Sequence, residues 1–439
     1  MVRIRTAVCC GLALVMLAGC GGKAKKDVEL PGERISVMAL QQQLSVDPTV
    51  QDIQVRIPEP VVNREWPQVG GYPTHAMYHL ALGDSLSVQW RRKVADGASR
   101  DRPMIAPPIV AEGKVFVYDA SEHVTALNEA TGERLWKVQM GTAGEKRDSG
   151  FGGGIAYDHG KVFVTTGFGY LAALNAQTGN QVWQASVGIP LRGAPTVGGG
   201  QVYAVTHDNQ LYAFNEDSGA YLWYHVGIVE DAALLGAASP ALSGQSVIAG
   251  FSSGELFALR PENGTISWSD SLTRTGRLTP LSSINDIDGE PVVDRDRVFA
   301  ISHGDRMVSI DLRTGNRVWE QNISGINTPW VAGDFIFVVT TDAQLLALYR
   351  PTGKVRWILQ LQKYENPKKG KHLISWSGPL LAGNRLLLVS TNGFVLSVSP
   401  FTGEVIDAAK AADSLVTTPV IANKTLYVLD NAGTLYALR

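Results

Sequence analysis

Ala126-Leu127-Asn128-Glu129-Ala130-Thr131-Gly132-Glu133-Arg134-Leu135-Trp136 is followed by Ala173-Leu174-Asn175-Ala176-Gln177-Thr178-Gly179-Asn180-Gln181-Val182-Trp183, the same pattern with the same spacing. Further copies run from Ala213-Phe214-Asn215 to Trp223, Ala258-Leu259 to Trp268, Ser309-Ile310-Asp311 to Trp319 and Ala347-Leu348 to Trp357. A degenerate copy carries Thr402-Gly403 with Asp407 in the tryptophan's place. The period is roughly 40 to 50 residues, the signature of a repeat architecture in which each unit buries its apolar face only against its neighbours.

Each unit opens with a short apolar strand, often led by proline (Pro108, Pro195, Pro240, Pro291, Pro329, Pro379, Pro419), then an alternating strand such as Lys114-Val115-Phe116-Val117-Tyr118. Short runs of period two, punctuated by Gly, Asn and Asp, signal antiparallel hairpins, and no amphipathic helix accompanies them. The Thr-Gly pair predicts a turn in which Gly supplies positive φ and the preceding Asn or Asp bonds the turn backbone. The tryptophan is expected to fill the space between neighbouring sheets.

Eight strand-opening blocks can be counted, but the last, 418–439, stops at Tyr436-Ala437-Leu438 without a tryptophan strand. An unpaired tryptophan strand, Ser87-Val88-Gln89-Trp90, precedes the first full unit. The expected fold is therefore all-β: an eight-bladed β-propeller of four-stranded antiparallel blades, its ring closed by an N-terminal strand completing the last blade. Closure removes the free edge an open solenoid would expose.

The N-terminus carries Arg3 and Arg5, an apolar run from about Val8 to Met16, then Leu17-Ala18-Gly19-Cys20. The run is far short of the roughly 20 residues that cross a hydrocarbon core, and the small pair before Cys20 forms a lipobox. The expectation is a signal peptide over 1–19, a lipidated tether with a short docking segment over 20–62, and the propeller over 63–439. Acyl chains on Cys20 contribute about 0.8 kcal/mol per buried CH₂, and more than one chain gives stable anchoring. Cys9 and Cys10 lie in the segment to be removed, so no disulfide or thiolate metal site is expected. A net charge of −2 without a basic stripe argues against a nucleic-acid partner.

Several motifs tempt towards chemistry. Gly250-Phe251-Ser252-Ser253-Gly254 has the spacing of a nucleophile elbow but joins two strands rather than a strand and a helix. Asp286, Asp288 and Gly289 lack the remaining ligands of a calcium loop. His75 and His79 have a helical zinc spacing without the helix or the glutamate. Gly150, Gly152, Gly153 and Gly154 lack the Lys and Ser or Thr of a phosphate loop and read as a flexible inter-strand loop. Lys368, Lys369, Lys371 and His372 form a basic loop suited to solvent, lipid headgroups or an acidic partner. No catalytic residue, cofactor or metal is expected.

The Ala-Leu-Asn-x-x-Thr-Gly-x-x-x-Trp unit resembles the repeat of pyrroloquinoline-quinone-type propellers, which include quinoprotein dehydrogenases. With the lipobox, the eight units and the N-terminal tryptophan strand, the whole chain resembles the BamB family of propeller lipoproteins from the outer-membrane β-barrel assembly machinery. That resemblance implies a non-enzymatic scaffold, lipid-anchored to the outer membrane and facing the periplasm. It also implies binding to the periplasmic repeats of the barrel-inserting subunit (BamA) and aid to the insertion of β-barrel clients. It locates the contacts on Ala233-Leu234-Leu235-Gly236, with Leu234 and Leu235, and on Asn285-Asp286-Ile287-Asp288, with Asp286 and Asp288. Exposed leucines would offer an apolar anchor, and paired aspartates acceptors for Arg or Lys. Leu235 stands where the family pattern carries arginine. The rival readings are a quinone-dependent oxidoreductase, whose adjacent-cysteine disulfide has no counterpart after processing, and a propeller that binds a ligand in its central funnel.

Overall fold

The computed structural model describes residues 44–99, 102–104, 106–141, 152–230, 236–273 and 284–439. Cys20, most of the expected tether, Leu234 and Leu235 lie outside the described residues.

The Thr-Gly turn explains how the blades lock together. Gly179 has φ 74°, and a Cβ there would lie 2.8 Å from the indole of Trp136 in the preceding blade. Only a residue without a side chain lets the turn take this conformation and serve as the floor on which a tryptophan lies. Trp136 Nε1 donates to the Ala176 carbonyl at 3.2 Å, so the ring is fixed at its polar edge as well. The same lock recurs around the ring: Trp90 lies on Gly132, Trp183 on Gly219, Trp223 on Gly264, Trp268 on Gly315, Trp319 on Gly353 and Trp357 on Gly403. Each indole nitrogen bonds a carbonyl in the next blade at 2.6 to 3.2 Å.

Eight four-stranded antiparallel sheets result, seven of them running outward in chain order from a buried inner strand. Blades 1 to 7 occupy 109–139, 153–186, 196–226, 241–271, 292–321, 330–360 and 376–410. Blade 8 joins Val420–Ala422, Thr425–Leu429 and Thr434–Leu438 to Val88–Lys93, which is its outermost strand. Trp90 pairs with Ala437, and Ser87 and Arg439 exchange two backbone hydrogen bonds at 2.9 Å. The N-terminal strand thus closes the ring.

Register also accounts for the degenerate repeat. Trp136 pairs with Ala126, Trp183 with Ala173 and Trp357 with Ala347; Asp407 pairs with Ser397 at the same position of blade 7. Its tryptophan would need a Thr-Gly floor in blade 8, but there the third and fourth strands pair without a turn between them, Arg439 meeting Ser87 through backbone hydrogen bonds. With no turn to receive the indole, the position is polar.

The glycine run differs from its expectation. Gly153 and Gly154 open the inner strand Gly153–Asp158 of blade 2 rather than a flexible loop. They are needed for close approach: a Cβ on Gly153 would lie 2.1 Å from the Thr165 carbonyl oxygen, and one on Gly154 2.7 Å from the Ala194 side chain. The basic insertion after Trp357 is a small hairpin, Tyr364–Asn366 with Lys371–Leu373.

A second structure, without any repeat, holds the ring from inside. Residues 61–81 travel once around the axis and bond the blades in turn. Asn63 bonds Ile421 and Asn423 of blade 8, and Trp66 exchanges backbone bonds with Val110 of blade 1 at 2.7 and 2.9 Å. The Pro67 carbonyl accepts from Tyr157 of blade 2, and the Gln68 side chain from Val197 of blade 3. Carbonyls of Pro73, Thr74 and Tyr78 then accept from Leu242, Val293 and the Trp330 indole of blades 4, 5 and 6, before Leu80 reaches Leu381 of blade 7. The belt closes on itself where Val61 and Ala81 bond His79 and Val61.

This belt gives His75 and His79 their roles. His75 Nδ1 bonds the Pro291 carbonyl at 2.8 Å; His79 Nδ1 bonds the Pro58 carbonyl at 2.7 Å, and its Nε2 accepts from Asn384 at 3.1 Å. Before the belt, residues 47–56 lie along blade 6, where Asp47 bonds Val355, Arg356 donates to the Ile53 carbonyl and Val55 enters the core.

Candidate functional site

The belt occupies one end of the central channel. At the other end, the connections between blades enter their inner strands and surround a cavity of about 500 Å³. Arg192, Asp288, Glu290, Asn327, Trp376 and Thr418 line it.

Two of these connections, 227–240 and 272–291, are the ones on which the sequence resemblance locates partner contacts. Their described residues meet at Gly236 and Asp288. Gly236, the first described residue after the leucines, is oriented so that a Cβ on it would lie 3.9 Å from Asp288 Oδ1. The aspartates are not an equivalent exposed pair: Asp286 is 2% exposed, and its carbonyl accepts from the His303 amide at 2.8 Å. Asp288 is half-buried at the mouth. Between them Ile287 packs into the wall, where a Cβ on Gly250 would lie 2.6 Å from its side chain. Asp286 therefore belongs to the wall, and Asp288 is the one that faces the cavity.

The cation near these carboxylates comes from a position that no repeat marks. Arg192, in the connection between blades 2 and 3, lines the same cavity, and its charge acts on both Asp286 and Asp288. Burial outweighs that help. The Asp288 carboxyl is pushed up to about 7 by burial first and then by the Asp286 and Glu290 charges, with Arg192 opposing. Glu290 is also raised, by burial, against hydrogen bonds from the Thr328 hydroxyl and its own backbone amide. Among the described residues the mouth is an acidic, partly dry surface with Arg192 on its wall.

Tryptophans outside the repeat register were the available signal for the channel. The chain has 10; seven seat the blades, and the other three are Trp66, Trp330 and Trp376. Trp376 lines the mouth, while Trp66 and Trp330 stack at 6.4 Å on the belt side. The Gly250–Gly254 motif is a turn between strands Ser246–Gly250 and Glu255–Leu259, without the geometry of a nucleophile elbow.

Eight blades, locked at seven of their junctions by tryptophan on glycine, define a propeller of the pyrroloquinoline-quinone-like repeat class. The family model described as outer membrane protein assembly factor BamB matches residues 83–147 and 120–359, more than half of the chain. The chain belongs to that family. A relative from Shewanella oneidensis named outer membrane protein assembly factor BamB is 26% identical over 355 residues, covering 79% of this chain and 87% of the relative. Among solved structures, BamB from Moraxella catarrhalis superposes with a TM-score of 0.69 at 20% identity, covering 81% of this chain and 100% of that one. A quinohemoprotein alcohol dehydrogenase from Comamonas testosteroni shares the fold with a TM-score of 0.66 at 15% identity, covering 85% and 80%.

Proposed function

We propose that this chain is a non-enzymatic scaffold lipoprotein of outer-membrane protein assembly. In this reading Cys20 carries the lipid anchor in the outer membrane, residues 20–62 are the tether, whose docking segment at 47–56 lies along blade 6, and the propeller faces the periplasm. The mouth-side connections of blades 3 to 5 dock on the periplasmic domains of the barrel-inserting subunit, BamA, and aid insertion of β-barrel clients. The observation that carries the site is the convergence of the 227–240 and 272–291 connections, with Gly236 beside Asp288. Leu234 and Leu235 supply the apolar anchor, and Asp288 the acceptor for a partner cation. Asp286 acts from within the wall, holding the Asp288 loop in place. A rigid ring suits docking because its loops lose little entropy on binding.

The dehydrogenase reading draws on the shared fold alone. Among the described residues the charged lining of the cavity is Asp288, Glu290 and Arg192, and the two acids would repel a quinone cofactor bearing several carboxylates in a desolvated site.

The test is a membrane pull-down with the tagged full-length protein, comparing the unaltered chain with Leu234→Ala/Asp288→Ala. Asp286 is left intact because removing a buried side chain would confound docking with folding. The barrel-inserting subunit should copurify with the unaltered chain and drop at least tenfold with the double variant. Equal recovery moves the site elsewhere, and its absence from the unaltered sample sinks the role. Labelled palmitate incorporation lost in Cys20→Ala tests the anchor.

A further inference from the structure

Behind the mouth, between the belt and the inner strands, lies a smaller chamber of about 40 Å³. That is several times the roughly 10–15 Å³ one water requires. Its apolar walls are Trp66, Val69, Trp330 and Leu380, and its polar lining includes His75 and Glu290. Glu290, Val69, Asn327 and Thr418 also line the large cavity, so the chamber is the inner end of the channel.

Two features of this chamber point to a ligand. His75 is 3% exposed, its Nδ1 bonds the Pro291 carbonyl at 2.8 Å, and its Nε2 has no hydrogen-bond partner among the described residues. Because Nδ1 faces a carbonyl it carries the proton, which leaves Nε2 as a bare acceptor. Burial holds this ring neutral, its pKa lowered to about 4. The second feature is the Glu290 carboxylate, fixed by the Thr328 hydroxyl and by its own amide on the Thr328 oxygen at 3.2 Å. The chamber thus offers an acceptor ring nitrogen, a carboxylate and two indoles. A buried acceptor left without a donor is costly, and indole faces attract cations.

We propose that the chamber binds a primary ammonium group, with the ammonium donating to His75 Nε2 and Glu290 and its alkyl chain lying towards the channel mouth. Three N–H donors on a compact cation match one ring acceptor and one carboxylate, and the attached methylenes match the indole and aliphatic walls. The ammonium can belong to a free alkylamine or to a lysine side chain entering through the mouth. The proposed ammonium contacts, His75 and Glu290, are not among the proposed docking contacts, Leu234, Leu235 and Asp288, so the two readings can fail separately.

The test is titration of the full-length protein with n-butylamine, with n-butanol as the shape-matched control and N-acetyl-lysine amide as the lysine arm. Calorimetry follows affinity, and ¹⁵N spectra of histidine-labelled protein follow the ring nitrogens. Butylamine should bind saturably, shift the His75 Nε2 resonance and leave the other seven histidines of the eight unmoved. Butanol should bind at least tenfold more weakly, and Glu290→Gln, which keeps the shape and the Thr328 contact, should weaken butylamine at least tenfold. Binding of the lysine arm assigns a side chain from another chain, and its failure beside butylamine binding assigns a free amine. The proposal is overturned if butylamine does not saturate, if butanol binds equally, if Glu290→Gln leaves affinity unchanged, or if binding does not move His75 Nε2.

Discussion

Gly219 and Gly199 form a natural pair for testing the tryptophan lock. Both belong to blade 3, with φ 69° and 64°. A Cβ on Gly219 would lie 2.5 Å from the Trp183 indole, whereas one on Gly199 meets nothing within 4 Å. Gly199→Ala should therefore cost only the left-handed penalty, about 1–2 kcal/mol. Gly219→Ala adds overpacking against a ring 9% exposed and bonded at 3.0 Å to the Glu216 carbonyl, for a further ~1–3 kcal/mol. Trp183→Ala should cost about 3–5 kcal/mol, but it also removes the obstacle. In that background Gly219→Ala should fall to the Gly199→Ala value, a coupling of ~1–3 kcal/mol. Urea unfolding followed by far-ultraviolet circular dichroism gives all the free energies. Equal costs for Gly199→Ala and Gly219→Ala, or no coupling with Trp183→Ala, would refute the account of why the repeat pairs these residues.

Asp407→Trp should change stability by less than about 0.5 kcal/mol despite restoring the consensus, because its position is a surface one without a receiving turn; a clear gain in urea midpoint would show that a seat exists. The raised Asp288 carboxyl, about 7 in the fold against an ordinary 3.8, means the folded protein binds this proton more tightly. Its effect is therefore a loss of stability as pH rises from about 4 to 7, which Asp288→Asn should abolish in a pH series of unfolding free energies. For His75, lowered to about 4 from 6.5, the sign is opposite: the unfolded chain takes the proton first, so stability falls as pH drops from 6.5 to 4 and His75→Gln should flatten that slope. Trp66, 2% exposed, anchors the belt, and Trp66→Ala should cost about 3–5 kcal/mol and speed hydrogen exchange at Val110, Tyr157 and Val197; unchanged exchange there would separate the belt from the ring's stability.

The parts of this fold that were legible in the sequence are those made by repetition. A tryptophan and a Thr-Gly pair recurring in register fix the blade and the count, and the unpaired Trp90 strand fixes the closure, because a propeller satisfies every such strand only once. Even the broken copy at Asp407 is interpretable, although its reason, the absence of a receiving turn where Arg439 meets Ser87, needed the register of blade 8. Around the channel legibility stopped. Arg192 and Glu290 occupy the inter-blade connections, which differ from unit to unit, and their proximity to Asp288 depends on how several blades point their connections at one axis. The Asn-Asp-Ile-Asp string reads as two equivalent acids, yet Ile287 enters the wall and takes Asp286 with it.

The belt shows why the least repetitive segment was the hardest to read. Each inner strand keeps backbone groups free on the side facing the axis, and a ring of identical four-stranded units has no further strand to satisfy them all. One irregular chain that circles the axis does so by changing its donor or acceptor at every blade: a side-chain amide at Val197, carbonyls at Tyr157, Leu242 and Val293, a full exchange at Val110. Periodicity in such a segment would be a defect, since the spacing between blades along 61–81 is set by the circle rather than by the strand. Prolines and glycines that resemble a linker are then what bends the belt, and the buried histidines are what hold it. A proline-rich stretch ahead of a closed repeat ring, carrying tryptophan and histidine rather than only charge and serine, should be read as an axial element, and the hydrogen-exchange response to Trp66→Ala decides whether this one deserves that reading.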